Sequence, residues 1–234
     1  MPRWVPFVGL TIALVILVLV LARHSTSVLR RTAQDTHSAT DVTPDSLSTR
    51  TLLLNVTISQ GVVIAILAAG IVAFGIPLSA LGIDTGHIGQ IGLQGMALGV
   101  TLWLASETGS RLADAAGVAY DEALRERLAP SSTVGWIWML LVVLPVVAIG
   151  EELLFRAALI GVPAAGLGLS PWILAAVSTG AFALGHGAQG RIGILATGAL
   201  GAVLAAAFVL TESFGVVVIA HYVVDTLEFV VHEA

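Results

Sequence analysis

Residues 149–161 read IGEELLFRAALIG and directly follow WIWMLLVVLPVVA, one of the most apolar segments of the chain. The apolar pattern predicts one long helix that enters a membrane. Inside it lie Glu151, Glu152 and Arg156, and each charge at the bilayer centre costs roughly 2.5–3.5 kcal/mol of insertion free energy. Charges at that depth are rare and usually face an interior cavity. The stretch therefore predicts a bundle of membrane helices with a polar interior.

Composition agrees with a membrane protein. The chain has 234 residues, of which 57% are hydrophobic and 11% charged, whereas a soluble domain carries about 25% charged residues. We therefore predict an all-α, polytopic transmembrane helix bundle. The absence of cysteine excludes disulfides, a thiol nucleophile and a cysteine-ligated metal. The net charge of −5 argues against a nucleic-acid partner, since nucleic acids bind basic patches.

Hydropathy predicts about seven spans, because each needs about 20 apolar residues. They cover approximately 4–22, 52–76, 88–105, 135–160, 171–187, 191–210 and 214–232. We interpret the first as a retained helix, because it is longer than the apolar core of a signal peptide and lacks a clear cleavage site; a cleaved signal is the alternative.

The segments between the spans suggest two regions. Residues 23–51 are polar and predict a flexible linker, and the helically spaced charges of 107–129 predict an amphipathic helix on the membrane surface between spans three and four. We divide the chain into N-terminal membrane helices over 1–134 and a helical catalytic core over 135–234.

The distribution of arginine predicts an orientation. All ten Lys and Arg residues are Arg, and all but Arg3 and Arg156 lie in the first, third and fifth loops. By the positive-inside rule the N-terminus lies outside and the C-terminus in the cytoplasm. The lack of Lys and the abundance of Ala, Val and Gly indicate a GC-rich genome, and we expect the plasma membrane of a prokaryote.

Three clusters of ionisable residues lie within the predicted spans. In the first, Glu152 and Arg156 are four residues apart and can pair on one helix face. Glu151 is rotated by about 100° from Glu152 and points elsewhere. A buried structural ion pair with one Glu reaching toward water is the alternative interpretation.

The second cluster, FALGH at 182–186, places Phe182 and His186 on one face, although His186 could simply cap a helix end. The third, HYVVDTLEFVVH at 221–232, places four residues on one stripe of the last helix: His221, Asp225, Glu228 and His232. The last two could belong to an amphipathic helix end that reaches water, which suits His221 poorly because an apolar segment precedes it.

The three clusters together predict hydrolytic chemistry. A Glu can act as general base, one His can polarise a carbonyl, and the His221/Asp225 pair can stabilise an oxyanion. The same set, Glu151, His186, His221 and Asp225, could instead ligate zinc. Both alternatives activate water beside a carbonyl, as in peptide hydrolysis inside a membrane.

The motifs EELLFR, FALGH and HYVVD match the patterns EExxxR, FxxxH and HxxxN/D in order. Because of these three motifs, the chain resembles the CPBP family of intramembrane proteases over about residues 135–232. That family includes the CAAX prenyl endopeptidases and proteins of bacteriocin processing and immunity. The first hundred-odd residues carry no motif of the family.

The resemblance implies a role for each motif residue. Glu151 would be the general base with His186 as its partner, and His221 and Asp225 would bind the oxyanion or hold the centre together. Glu152, Arg156 and Phe182 would support the site. Eukaryotic CAAX enzymes resemble this pattern but carry Asn where Asp225 stands, and ionised Asp cannot donate a hydrogen bond. The resemblance leaves both a zinc mechanism and a metal-free glutamate mechanism open.

The expected function is thus an intramembrane endopeptidase acting on a membrane-embedded or lipidated, CAAX-type peptide in the bilayer. The alternatives are a non-catalytic adaptor or immunity-type protein on the same scaffold, and a transporter that uses the polar cluster as an ion path. Against the transporter, the chain is short and shows no inverted repeat.

Overall fold

The computed structural model describes residues 1–36, 48–84, 86–117 and 123–234, and within them the regular structure is entirely helical. This confirms the predicted all-α class. The helices are α1 (Trp4–Thr36), α2 (Thr49–Phe74), α3 (Ile88–Ala115), α4 (Ala123–Leu128), α5 (Thr133–Leu167), α6 (Pro171–Gly185), α7 (Gly190–Thr211) and α8 (Phe214–Glu233). Short 3₁₀ turns lie at Leu78–Leu81 and Gly187–Gln189.

In the described part of the chain, six helices are long and apolar enough to cross a membrane: α1 over Trp4–His24, α2, α3, α5, α7 over Ile192–Thr211, and α8. The predicted span at 171–187 corresponds to α6, an apolar helix of 15 residues. At 1.5 Å per residue it measures about 22 Å, less than the hydrocarbon thickness of about 30 Å.

Contacts between helix ends define two ends of the bundle. At the first, the Arg3 N–H donates to the Phe74 carbonyl (2.8 Å) and the Phe214 N–H donates to the Gly82 carbonyl (2.8 Å). At the second, the Thr49 hydroxyl donates to the Arg127 carbonyl (3.1 Å). The start of α1 therefore lies at the first end.

The end of α8 lies at the second end, where Glu233 accepts from Arg125 of α4 (2.8 Å). The end of α5 returns to the first end, since Gly166 lies against the Trp4 indole. The short helix α6 continues from there, and α7 runs back to the first end. The first and last described residues consequently lie at opposite ends of the bundle.

Two predicted boundaries differ from the structure. The predicted linker over 23–51 is helical as far as Thr36, since α1 contains no Gly or Pro between residues 10 and 36. Residues 37–47 lie outside the described part. The surface helix predicted for 107–129 begins instead as a continuation of α3. Glu107 and Arg111 pair along α3 (2.7 Å), and the helix ends at Ala115 before Gly117 (φ 72°).

Only Ala123–Leu128 forms a separate short helix in that region, α4, while residues 118–122 lie outside the described part.

Helix α5 contains two π-helical segments, Met139–Val143 and Leu153–Gly161. Each lies just before a proline, Pro145 and Pro163. Proline provides no N–H and its ring crowds the preceding turn, and a wider i→i+5 turn relieves that crowding. The second segment begins directly after Glu152, so it determines how Arg156 is placed relative to the two glutamates.

Glycine allows α8 to approach α3 closely. A Cβ on Gly95 would lie 2.6 Å from the Ile219 Cβ, and one on Gly99 would lie 2.7 Å from the Val223 Cβ. This spacing of small residues is typical of helix contacts in membranes. Helix α7 also packs closely at a glycine, since a Cβ on Gly201 would lie 2.8 Å from the Phe182 ring. These contacts fix the helices that carry the polar residues.

Candidate active site

The polar residues of all three motifs meet in the middle of the bundle. Helix α5 provides the two glutamates and the arginine, and α8 provides His221 and Asp225. Helix α6 provides Phe182, and His186 directly follows its last residue. Exposure increases across the cluster: the Arg156 side chain is 0% exposed, His221 is 5%, and His186 and Asp225 are 25% and 26%. The cluster is therefore closed on the arginine side and open on the side of His186 and Asp225.

Glu152 lies at the closed side, where its Oε1 accepts from Arg156 Nη1 (2.7 Å) and lies 2.7 Å from His221 Nδ1. Arg156 Nη2 also donates to the Gly201 carbonyl of α7 (3.1 Å). The predicted pairing of Glu152 with Arg156 is present, and the structure adds His221 as a second partner. This buried group joins three helices, α5, α7 and α8.

Glu151 faces the other way, as the helical rotation predicts. Its Oε2 lies 3.8 Å from Nε2 of both His186 and His221. Its Oε1 accepts a hydrogen bond from the Gln60 amide on α2 (3.1 Å). Within the described residues, Glu151 Oε2 is buried and makes no hydrogen bond in the protein. Glu151 thus presents one oxygen to both histidines.

Both histidines have their Nδ1 engaged and their Nε2 turned toward Glu151. His186 Nδ1 lies 2.8 Å from the Phe182 carbonyl oxygen, and His221 Nδ1 lies against Glu152. Carbonyl and carboxylate oxygens only accept, so Nδ1 carries the proton in each neutral ring. Each Nε2 is then an acceptor in the neutral form and a donor in the imidazolium.

Phe182 is the apolar support of the cluster. It is buried, the Arg156 guanidinium lies 4.4 Å from its ring centroid, and the His186 ring lies 4.5 Å away. A cation over an aromatic face is attracted to the ring. Phe182 also makes an edge contact with His221 at 6.2 Å. One ring therefore contacts the buried arginine and both histidines.

Asp225 extends the cluster along α8, with its Oδ2 3.5 Å from His221 Nε2. Glu228 and His232 lie apart, at the second end of the bundle. Glu228 pairs with Arg125 of α4 (2.6 Å), and His232 contacts Glu107 of α3 (3.1 Å). These two side chains tie helix ends together, in agreement with the interpretation as a polar helix end.

Sequence reasoning missed Gln60, because the motifs lie in the second half of the chain. The available signal was weak, because Gln60 is one of two amides within the apolar run of α2, the other being Asn55. It also missed Gly150, where a Cβ would lie 2.6 Å from the Gln60 Oε1. The closely packed Gly95 and Gly99 of α3 were a third missed feature, visible as a GxxxG spacing in GMALG.

The predicted zinc ligands have suitable chemistry, since imidazole nitrogen and carboxylate oxygen both bind zinc. Among residues 1–36, 48–84, 86–117 and 123–234, no group of three or more His, Cys, Asp or Glu side chains is placed to hold a metal ion, and the zinc site stays a prediction. We therefore derive no step through a metal.

The chain matches a known family over part of its length. Residues 133–227 match the family described as type II CAAX prenyl endopeptidase Rce1-like. The matched residues contain all three motifs and confirm the predicted family resemblance. No curated protein and no solved structure shows significant similarity to the chain.

Proposed function

We propose that this membrane protein cleaves a peptide bond of a membrane-associated substrate with a water molecule activated by Glu151. The match of residues 133–227 to the Rce1-like type II CAAX prenyl endopeptidase family supports this proposal. The observation that carries the proposal is the position of Glu151 Oε2, buried and 3.8 Å from two histidine Nε2 atoms. That oxygen faces the groups that would stabilise a reacting carbonyl.

In the proposed reaction Glu151 takes a proton from water, and the water oxygen bonds to the scissile carbonyl carbon. The carbonyl electrons move to oxygen and give a tetrahedral oxyanion. The proton then passes from Glu151 to the amide nitrogen, the C–N bond breaks, and a carboxylic acid and an amine leave. General-base catalysis of this kind contributes about 10²–10⁴-fold in rate.

The histidines act on the oxyanion. As an imidazolium, His221 donates from Nδ1 to Glu152 and from Nε2 toward the reacting oxygen. Asp225, 3.5 Å from that Nε2, balances the imidazolium charge and orients the ring. His186 faces the same region from just after the end of α6, and as an imidazolium its Nε2 is the second donor. Ionised Asp225 cannot donate to the oxyanion itself, so its role is to position His221.

The substrate class follows from depth and opening. Glu151 lies far from both ends of a helix of 35 residues, and the cluster opens past His186 and Asp225. A peptide held in the bilayer by a lipid or an apolar segment can reach such a site, and a prenylated CAAX-type peptide fits this description. We further propose that the second end of the bundle, which carries Arg50, Arg111, Arg125 and Arg127, faces the cytoplasm of a prokaryotic cell.

The test is peptide cleavage in proteoliposomes with a farnesylated CAAX peptide, with the products identified by mass spectrometry. We expect the wild type to cleave the peptide, and Glu151→Gln and His186→Ala to lose cleavage. Glu228→Gln, the same chemical change outside the cluster, should retain it. Cleavage by both Glu151→Gln and His186→Ala would overturn the proposal.

Zinc is the second candidate mechanism, favoured by the donor chemistry of Glu151, His186, His221 and Asp225. Elemental analysis of the purified protein distinguishes the two mechanisms. Stoichiometric zinc that disappears in the Glu151→Gln variant would favour zinc. Activity that survives dialysis against a chelator, with no bound metal, would favour glutamate chemistry. A phenotype retained by Glu151→Gln in cells would instead favour the adaptor or immunity alternative.

A further inference from the structure

Glu151 has a partner on α2, which lies outside the residues that match the family. The Gln60 amide Nε2 donates to Glu151 Oε1 over 3.1 Å, across 91 positions of sequence. The residue is part-buried within an apolar span. A polar amide in a membrane helix is costly unless it is hydrogen-bonded, and this hydrogen bond satisfies one of its N–H groups.

We propose that Gln60 is a positioning residue that holds the Glu151 carboxylate in its reactive orientation. This inference rests on the proposed function of Glu151 as general base. Rotation about the last torsion of a glutamate is broad, so the carboxylate needs a partner to fix its plane. With Oε1 held by Gln60, Oε2 faces His186 and His221 at 3.8 Å.

The chemical nature of Gln60 suits this task. An amide donates a hydrogen bond without bringing a charge. A Lys or Arg at this position would form an ion pair with Glu151 and make it a poorer base. Glu152, by contrast, is held by the charged Arg156 (2.7 Å). The two glutamates therefore have partners of different charge.

Gly150 provides the space for the amide. A Cβ at residue 150 would lie 2.6 Å from Gln60 Oε1 and 3.5 Å from the Gln60 Cβ. Helix α5 thus has no side chain at residue 150, where the Gln60 side chain of α2 crosses it. Gly150 and Gln60 together form one arrangement, in which α5 leaves a gap and α2 fills it.

The kinetic test compares Gln60→Met with Gln94→Met, the same change on the exposed start of α3. We expect Gln60→Met to lower kcat by up to about 100-fold, since misplacing a catalytic group by about 1 Å can cost that much, and to leave KM unchanged. Gln94→Met should match the wild type. A Gln60→Met variant with wild-type kcat would overturn the inference.

Gln60→Glu provides a readout that a purely structural role would not give. The introduced carboxyl has the shape of the amide but donates a hydrogen bond to Glu151 only when it is protonated. We expect the activity of Gln60→Glu, relative to wild type, to rise as the pH falls, whereas Gln60→Met stays low throughout. A pH profile parallel to that of Gln60→Met would contradict the inference.

A second measurement does not depend on catalysis. In a double-mutant cycle of unfolding in detergent, Gln60→Met should destabilise the wild type but have little effect in a Glu151→Met background. Equal losses in both backgrounds would show that the two side chains are not coupled and would overturn the inference. If the wild type cleaves no peptide but Gln60 and Glu151 are coupled in unfolding, the proposed function is wrong and the hydrogen bond between the two residues is still supported.

Gly150→Ala tests the same arrangement without changing a functional group. The added methyl displaces the Gln60 amide, so kcat should fall as in Gln60→Met. The two substitutions should be non-additive, because the methyl has nothing further to displace once the amide is gone. Additive losses in the double variant would contradict the inference.

Discussion

Glu151 and Glu152 occupy neighbouring positions on α5, and their surroundings differ in burial, partner charge and contact length. Glu152 is 0% exposed and lies 2.7 Å from both Arg156 and His221. Glu151 is 13% exposed, has a neutral amide partner, and lies 3.8 Å from two histidines. One residue of helical rotation therefore separates an enclosed ion pair from a carboxylate that faces an opening.

The difference teaches how one motif can serve two purposes. A buried charge is tolerated only when it is paired and hydrogen-bonded, and Arg156 meets that need for Glu152. Glu151 has no cation at ion-pair distance other than a protonated histidine among the described residues. We interpret Glu152 as the group that holds α5 and α8 together and Glu151 as the group available for chemistry.

The largest expected effect comes from Glu151→Gln. Because the base is removed while shape and the Gln60 contact can persist, kcat should fall by about 10²–10⁴-fold, with the unfolding midpoint close to wild type. Peptide cleavage in proteoliposomes and thermal unfolding in detergent measure the two quantities. An unfolding loss as large as that of Glu152→Gln would remove the distinction between the glutamates.

Glu152→Gln should show the reverse of Glu151→Gln: its main effect should be a lower free energy of unfolding. Removing one partner of a buried ion pair costs about 3–5 kcal/mol because the remaining charge is uncompensated. The free energy of unfolding, measured by denaturant titration in mixed micelles, should show this loss. The double variant Glu152→Leu/Arg156→Leu should recover much of it, and failure to do so would indicate that His221 depends on Glu152 for its position.

A smaller effect is expected for Asp225→Asn. Asn keeps the shape and can donate to an oxyanion, and the motif pattern HxxxN/D accommodates it. We expect kcat to stay within about tenfold of wild type, the change that 1.4 kcal/mol produces, and Asp225→Leu to lose considerably more. If Asp225→Asn lost as much kcat as Asp225→Leu, the negative charge of Asp225 would be essential for the reaction.

The smallest effect is expected at the second end of the bundle. Arg111→Gln removes an exposed partner of Glu107 (2.7 Å), and exposed ion pairs contribute about 0.2–1 kcal/mol. The unfolding free energy should change within that range, and the change should shrink in high salt. If Arg111→Gln lowered the free energy of unfolding as much as Glu152→Gln, the ion pairs at the second end would be as important for stability as the buried pair.

The sequence predicted the helices well because apolar length is a direct requirement of the bilayer. It also predicted that Glu152 would pair with Arg156 while Glu151 pointed away, since both follow from rotation along one helix. The contact of Gln60 with Glu151 could not be predicted, because nothing in α2 indicates which helix it faces. The second contact of Glu152, with His221, depends on how closely Gly95 and Gly99 let α8 approach α3.

Boundaries were predicted less well for a related reason. The polar residues after His24 and around Glu107 suggested that helices end near the membrane surface. Polarity alone does not end a helix: α1 continues to Thr36, and α3 continues through Gly109 to Ala115, just before Gly117 with its positive φ.

The π-helical segment Leu153–Gly161 has a consequence for experiments that map a helix residue by residue. In a cysteine-accessibility scan of this cysteine-free chain, labelling along Leu144–Glu152 should recur with the ordinary helical period of about 3.6 residues. Beyond Glu152 the period should lengthen, because each turn closes one residue later. A helical-wheel projection that uses the ordinary period for all of α5 would assign residues after Arg156 to the wrong helix face. The shift in the labelling period would show where the turn widens.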